Sequence, residues 1–139
     1  MKNVIIILMV AIAILSINSF AQTKQKKMET ISAVELHDAF RADADEATKK
    51  YGMKTMYITG VAVKVGPDVY GLPSVEVASK DGEKCKALCV LPFTDYLKLR
   101  KVSKHDQVVM QGEVRGLASE YDLVVVKQSK IISVNGKKP

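Results

Sequence analysis

The segment from Lys54 to Val65, KTMYITGVAVKV, is the main determinant of the predicted fold, because its side chains follow the two-residue period of a β-strand. It is rich in β-branched residues and tyrosine, which favour extended backbone. Gly60 interrupts the segment, and the turn sequence Gly66-Pro67-Asp68 follows it. A glycine inside a strand is typical of sharp coiling or of the close approach of a second backbone. The segment therefore predicts a strongly bent strand in a small β-structure.

Four further strands and one short helix are predicted after this segment, each bounded by turn residues. The strands are predicted over Ser74–Ala78, Glu83–Val90, Gln107–Arg115 and Leu123–Ile132, and the helix over Thr94–Arg100. Gly112 lies in the middle of its strand, and the apolar start of the last strand predicts burial on both of its faces. Five short strands with a helix between the third and fourth are the order of the OB-fold. The predicted fold class is therefore all-β with accessory helices, built as a five-stranded Greek-key barrel.

An amphipathic helix is predicted before the first strand, from about Ser32 to Lys50. Ser32 and Glu35 have the spacing of a capping box, in which the two side chains bond the free amides at a helix start. The apolar residues Leu36, Phe40, Ala47 and Tyr51 fall on one face of this helix. We therefore expect the helix to pack on the barrel.

The first 21 residues are predicted to be a secretory signal peptide. Lys2 provides a positive charge, Val4–Leu15 is an unbroken apolar run, and Ser19-Phe20-Ala21 places small residues before a cut at Gln22. An uncleaved anchor would need about 20 apolar residues, so we expect a periplasmic or secreted product without a stable membrane anchor. The mature chain is then predicted to have a flexible lead-in over 22–31, one domain over 32–134 and a disordered tail over 135–139.

The charge of the chain is unevenly distributed. Among 139 residues there are 21 basic and 15 acidic ones, a formal net charge of +6. Six basic residues lie in the leader and the two tails, whereas all 15 acidic residues lie in the segment 29–134, which is therefore neutral. A domain that binds polyanions usually carries positive charge on the fold itself. The composition thus argues against a strongly electrostatic nucleic-acid binder.

The residues that could carry chemistry are few. Cys85 and Cys89 are the only cysteines, and both fall on the inward face of the third predicted strand. Four residues of strand span about 13 Å, whereas disulfide-bonded Cα atoms lie about 5.5–6 Å apart, so we expect two buried free thiols and no disulfide. His37 is predicted to face solvent, and His105 to occupy a turn at positive φ. Because the sequence has no nucleophile elbow, phosphate loop or short metal-ligand spacing, we expect neither an enzyme nor a bound metal or cofactor.

A set of positions, most of them apolar, tyrosine or glycine residues, runs through the predicted helix and barrel. They are Ala33, Leu36, Phe40, Ala47, Tyr51-Gly52, Lys54, Ile58-Thr59-Gly60, Val108, Met110, Gly112, Val114, Gly116 and Leu123. In these residues the chain from Ser32 to Ile132 resembles the tRNA_anti-like family of exported bacterial OB-fold proteins. The resemblance implies the fold and a kinship with anticodon-binding domains, and it carries over no activity. Two departures are the absence of a lipid-attachment cysteine and the turn Lys104-His105-Asp106, where a Lys-Gly-Asp-like sequence is typical.

OB-folds bind ligands on the face of their second and third strands and through the loops that join strands 1–2 and 4–5. In this chain those elements supply five candidate binding residues, Tyr70, Lys84, Lys86, Arg115 and Tyr121. We expect them to converge on one side of the barrel, because the inward cysteines turn both lysines outward. Ordinary surface lysines and loop tyrosines would give the same pattern. The predicted function is a non-enzymatic binding module of the cell envelope for a protein, peptide or glycan, and the alternative is a single-stranded nucleic-acid binder.

Overall fold

The computed structural model describes residues 27–139. The predictions for the signal peptide and for residues 22–26 of the lead-in therefore lie outside the described residues. The elements are β1 Thr30–Ser32, α1 Ala33–Ala42, α2 Ala44–Tyr51, β2 Thr55–Pro67, β3 Pro73–Ala78, β4 Ala87–Val90, the 3-10 helix Phe93–Lys101, β5 Gln107–Ala118 and β6 Leu123–Val134. None of the helices in this described range is long and apolar enough to cross a membrane.

Strands β2 to β6 close into a five-stranded barrel. β2 pairs antiparallel with β5 through its first half and with β3 through its second half, where it bends at a β-bulge. β3 and β4 are antiparallel, as are β5 and β6. β4 and β6 pair in parallel, and this pairing closes the sheet. The mixed pairing confirms the predicted OB-fold Greek-key barrel.

The core fills the interior of this barrel with the inward residues of every strand. Its largest fully buried barrel residues include Met56, Ile58, Val75, Val77, Met110, Val114, Val124 and Val126. A Cβ placed on Gly60 would lie 2.4 Å from the carbonyl oxygen of Ala78, and one on Gly112 would lie 2.4 Å from Cγ1 of Val126. Both mid-strand glycines therefore mark close approaches of the chain to itself, as the sequence predicted.

The predicted N-terminal helix forms as two helices rather than one. The capping box is confirmed, because Ser32 Oγ accepts a hydrogen bond from the Glu35 amide while the Ser32 amide donates to the Glu35 carboxylate. Asp43 then adopts an extended conformation and caps α2 by accepting from the Glu46 amide. The apolar residues Leu36, Phe40 and Ala47 of the two helices are buried in the core cluster.

Ordered structure extends beyond both ends of the predicted domain. Thr30–Ser32, partly within the predicted flexible lead-in, adds to the barrel as a short parallel strand beside β2. At the other end, within the predicted disordered tail, the Asn135 amide donates to the Gln107 carbonyl oxygen, and the Asn135 side chain donates to Asp106. The first of these segments pairs with the free edge of β2, and the second bonds groups at the start of β5, so backbone groups that would otherwise be unpaired gain partners in both places.

Two further elements differ from the sequence prediction. The third barrel strand was predicted over Glu83–Val90, but β4 begins only at Ala87, because its partner β3 ends at Ala78 and the residues between them form a loop. The short helix after it is a 3-10 helix that begins at Phe93, directly after Pro92, rather than at Thr94. His105 occupies its turn at a φ of 84°, as predicted.

Candidate functional site

A groove of about 590 Å³ crosses the outer face of the barrel between two loops. Strands β4 and β6 form its floor, the loop 68–72 between β2 and β3 borders one side, and the loop 119–122 between β5 and β6 borders the other. The lining residues are Lys64, Asp68, Val69, Tyr70, Leu72, Glu76, Leu88, Val90, Leu117, Ala118, Ser119, Glu120, Tyr121, Leu123, Val125 and Lys127. We call this cavity the loop groove, and it occupies the surface on which OB-folds bind ligands.

The floor of the loop groove is aliphatic. Its floor residues are Leu88, Val90, Leu123 and Val125. Successive side chains of a strand point to opposite faces, so these four residues point outward while Cys89, Val124 and Val126 are buried in the core. The strands are therefore apolar on both faces, and on the outward face Leu88 and Val125 are half-buried whereas Val90 and Leu123 are each only 8% exposed.

Asp68 fixes the shape of the loop between β2 and β3. Its Oδ1 atom accepts hydrogen bonds from the amides of Tyr70 at 2.8 Å and Leu72 at 2.9 Å. Gly71 has a φ of 79° and donates its amide to the Asp68 carbonyl oxygen. The backbone of this loop is thus held from within, whereas the side chain of Tyr70 is 83% exposed.

The loop between β5 and β6 is held from outside the barrel by α1. His37 is only 3% exposed, and its Nε2 lies 2.9 Å from the carbonyl oxygen of Asp122 and 3.0 Å from Oδ1 of the same residue. Arg41 donates to the other carboxylate oxygen at 2.9 Å. The His37 hydrogen bond, followed by the charge of Arg41, holds the pKa of Asp122 below its usual value. The prediction that His37 faces solvent is therefore wrong, since the imidazole fastens this loop.

Tyr121 precedes Asp122 and projects from the fastened loop. Its amide donates to the Ala118 carbonyl oxygen at 3.1 Å, and its side chain is 55% exposed. Tyr70 and Tyr121 thus stand on the two loops that border one apolar floor. Exposed tyrosines combine a large apolar ring with a hydroxyl that can form hydrogen bonds, which suits them to ligand contact.

The charged residues of the loop groove do not make it basic. Lys64 and Lys127 are its two cations, and Asp68, Glu76 and Glu120 are its three carboxylates. Lys64 forms a 3.7 Å ion pair with Glu76, which neutralises one cation. A polyanion entering the groove would therefore meet more carboxylates than ammonium groups.

Two of the five predicted binding residues come together in the loop groove. Tyr70 and Tyr121 both line the loop groove, but Lys84, Lys86 and Arg115 do not. The two lysines lie before β4 starts. The alternation of inward and outward side chains, from which both were expected to face outward, begins only with this strand, and Leu88 is its first outward residue. Arg115 lies at a register shift between Val114 and Gly116, and its guanidinium pairs with Glu113 at 3.0 Å. The loop groove therefore contains Tyr70 and Tyr121 of the five predicted binding residues, and the convergence of all five on one side of the barrel stays a prediction.

Several groove residues were absent from the candidate set although the sequence carries a pattern that could have found them. The run Leu123–Val126 predicts a strand buried on both faces, and its outward members are the floor residues Leu123 and Val125. On β4, alternation with the inward Cys89 assigns Leu88 and Val90 to the same outward face. The ion pair between Lys64 and Glu76 has no comparable pattern, because it depends on the pairing of two strands.

The cysteines and the second histidine lie elsewhere. Cys89 is buried on its strand as predicted, whereas the prediction for Cys85 is wrong, because Cys85 lies before β4 begins and is half-buried; both are free thiols. Burial, followed by the nearby charge of Glu76, raises the pKa of the Cys85 thiol to about 12, and burial also raises the pKa of Cys89. His105 Nδ1 bonds the carboxylate of Asp81, which ties the turn before β5 to the loop after β3. Within residues 27–139 no three His, Cys, Asp or Glu side chains are grouped so that they could hold a metal ion.

A model of the tRNA_anti-like family matches residues 2–130. The match spans nearly the whole chain and includes every residue that lines the loop groove. A search of the curated proteins finds no match.

Solved structures resemble the chain in fold. A "putative nucleic acid-binding lipoprotein" from Klebsiella pneumoniae is similar to it with a TM-score of 0.61 and 14% sequence identity, covering 76% of this chain and 92% of that chain. An OBody bound to hen egg-white lysozyme gives a TM-score of 0.43 and 17% identity, covering 65% of this chain and 86% of that chain. The first of these similarities supports the OB-fold, and at such low identity it carries no ligand over.

Proposed function

Because the chain belongs to the tRNA_anti-like family, we propose that it is an OB-fold binding module whose ligand site is the loop groove. The ligand that we propose is a segment of a protein or peptide that presents apolar side chains. The observation that carries this proposal is the aliphatic floor between two exposed tyrosines, Tyr70 and Tyr121, in a groove without excess positive charge.

The chemistry of the floor favours a peptide over a glycan. A glycan would bring many hydroxyl groups against Leu88, Val90, Leu123 and Val125, whose side chains can form no hydrogen bonds. Apolar side chains of a peptide would instead remove the exposed parts of Leu88 and Val125 from water, at about 25 cal/mol for each Å² of apolar surface buried. The tyrosines would then close over the segment from both sides, as aromatic anchors do in protein interfaces.

Single-stranded nucleic acid is the second candidate ligand. It is favoured by the two exposed tyrosines, since OB-folds stack bases on aromatic side chains, and by the description of the Klebsiella protein as nucleic acid-binding. The three carboxylates around the groove oppose it, because they repel the phosphates that dominate such binding. We therefore rank it below the peptide.

We further propose that the module is not an enzyme and works in the cell envelope. Neither histidine lines the groove, and each bonds a carboxylate elsewhere. The envelope location is supported by the signal-peptide pattern before Gln22 and by the similarity to a lipoprotein. Intact-mass spectrometry of protein from the producing organism should give a chain that begins at Gln22, and recovery of chains that retain Met1 would contradict the proposed cleavage.

A binding screen tests the proposed ligand. Peptide, glycan and oligonucleotide arrays are probed with the chain from Gln22 onward, and hits are titrated by fluorescence anisotropy. Substitution of Tyr70 or Tyr121 by alanine should weaken binding of a peptide hit by about tenfold or more. Lys84→Ala is the matched control, because Lys84 is exposed outside the groove.

The outcomes separate the candidates. Peptide hits that weaken with the tyrosine variants, but change little with added salt, would support the proposal. Oligonucleotide hits whose affinity falls steeply with salt would replace it with the nucleic-acid function. Hits that respond equally to Tyr70→Ala and Lys84→Ala would show that the loop groove is not the site.

A further inference from the structure

A second exposed surface lies on the 3-10 helix, away from the residues that line the loop groove. Leu99 and Val102 anchor this helix because both are buried in the core. Phe93, Tyr96 and Leu97 point outward instead, and Phe93 and Leu97 are 69% and 68% exposed. The rings of Phe93 and Tyr96 lie 6.5 Å apart at 56°, so they form one aromatic patch.

Basic residues follow this patch in the same helix. Lys98, Arg100 and Lys101 occupy the last turn of the helix and are exposed. Lys98 pairs with Asp95 at 3.1 Å. Lys101 and Lys130 of β6 line one hollow beside the helix.

The positive charge around the patch is largely unpaired. In the described part of the chain Arg100, Lys101 and Lys130 make no salt bridge, whereas Asp95 is already engaged by Lys98. We call Phe93, Tyr96, Leu97, Arg100, Lys101 and Lys130 the basic–apolar face.

We propose that the basic–apolar face binds reversibly to the surface of a bilayer that contains anionic phospholipids. Charge complementarity identifies the partner, because the face has three unpaired cations and anionic headgroups attract basic residues near a membrane surface. The apolar part specifies a bilayer, since Phe93 and Leu97 can enter the boundary between headgroups and acyl chains while Tyr96 suits the headgroup level.

The geometry allows this contact without rearrangement of the barrel. Leu99 and Val102 stay buried while the side chains of Phe93, Leu97, Arg100 and Lys101 are exposed. The loop groove shares no residue with the basic–apolar face. A module bound to a membrane through this face would therefore use different residues to bind its ligand. The inference is therefore independent of the function proposed for the groove.

A tryptophan reporter tests insertion directly, because the chain contains no Trp. The chain from Gln22, which contains every element of the barrel, is prepared as Phe93→Trp and mixed with vesicles of phosphatidylcholine alone or of equimolar phosphatidylcholine and phosphatidylglycerol. We expect a blue shift of the emission only with the anionic vesicles. Met53→Trp is the matched reporter, since Met53 is 63% exposed in the turn before β2, and its emission should not change.

Vesicle flotation measures the contribution of charge. Arg100→Gln with Lys101→Gln should weaken binding to the anionic vesicles roughly thirtyfold, from about fivefold for each basic residue lost. The control pair, Lys49→Gln with Lys50→Gln, removes the same charge from the exposed end of α2 and should leave binding within about twofold. Thermal melts of all variants check that the barrel is intact.

Three results would overturn the proposal. The first is that the wild-type chain does not float with anionic vesicles. The second is that the Arg100 and Lys101 variant and the Lys49 and Lys50 variant lose vesicle binding equally. The third is binding of a single-stranded oligonucleotide that is tighter than vesicle binding and insensitive to Leu97→Ser, because the face would then recognise phosphates of a nucleic acid. A blue shift of Phe93→Trp with loss in the Arg100 and Lys101 variant would support the membrane contact.

Discussion

Replacement of Gly60 by alanine should destabilise the protein severely, although it adds a single methyl group. Its Cβ would lie 2.4 Å from the Ala78 carbonyl oxygen and 2.5 Å from Cγ1 of Val77. The oxygen belongs to the backbone of β3, which pairs with β2 at Val61 and Ala78. The clash therefore cannot be relieved by rotating a side chain, and the two strands must separate.

The cost can be estimated from this geometry. Forcing an extra methyl group into a packed site costs about 1–3 kcal/mol, and the loss of one ladder hydrogen bond adds about 1 kcal/mol. The total of about 2–4 kcal/mol is a large part of the 5–15 kcal/mol that stabilises a typical domain. For a domain of about this size, each kcal/mol lowers Tm by about 4–8 °C, so we expect a fall of about 10–30 °C.

Gly82→Ala separates this steric effect from backbone strain. Gly82 has a φ of 79°, and a Cβ there would meet nothing within 4 Å, so the variant pays only the strain of the left-handed region, about 1 kcal/mol. Urea and thermal unfolding of both variants, followed by circular dichroism, give the comparison. If Gly60→Ala melts at or above the Tm of Gly82→Ala, the close approach of β2 and β3 is refuted.

The thiols of Cys85 and Cys89 should react with iodoacetamide far more slowly in the folded protein than in urea. The reason is that burial raises the pKa of Cys85 to about 12 and raises that of Cys89 as well. Reaction of either thiol in the folded protein at the rate of a free cysteine would contradict this placement. The lowered pKa of Asp122 means that its carboxylate contributes stability at neutral pH, which is lost as the pH falls below about 4 through the folded pKa. Asp122→Asn, whose side chain tolerates the φ of 53°, should therefore melt below the wild type at about pH 6, and the difference should shrink as the pH falls below about 4; a difference that stays constant would refute this. Met110→Ala should lower the free energy of unfolding by about 2–5 kcal/mol, because Met110 is fully buried in the barrel; a loss below about 1 kcal/mol in urea titrations would place it outside the core.

The barrel could be predicted because its determinants are local. Alternation in the strands, turn residues between them and the mid-strand glycines Gly60 and Gly112 each lie within a few residues of sequence. The wrong predictions concern elements whose existence or bounds depend on pairing with another strand. β4 is shortened to Ala87–Val90 by the end of its partner strand, and β1 exists only because β2 offers it an unpaired edge.

The candidate site was less predictable for the same reason. Tyr70 and Tyr121 could be assigned from topology, since both lie in the loops that flank the OB-fold face. Arg115 does not line the groove, and its side chain pairs with Glu113, two residues earlier on the same strand. His37 was misassigned because its partner, Asp122, is 85 residues away in the sequence, and helical periodicity alone does not show which polar residue has a buried partner.

The hydrogen bonds around the two loops determine what ligand binding would cost. Asp68 fixes one loop from within and Asp122 fixes the other against α1, so the backbone on both sides of the groove is already ordered in the free protein. The exposed rings of Tyr70 and Tyr121 are the parts left to order, at about 0.5–1.5 kcal/mol for each side chain immobilised. Burial of the exposed apolar surface of Leu88, Val125 and the two tyrosine rings against a short apolar segment can offset that cost. This balance suits a module that binds a small part of a larger partner, because little of the partner needs to be buried before the tyrosines close on it.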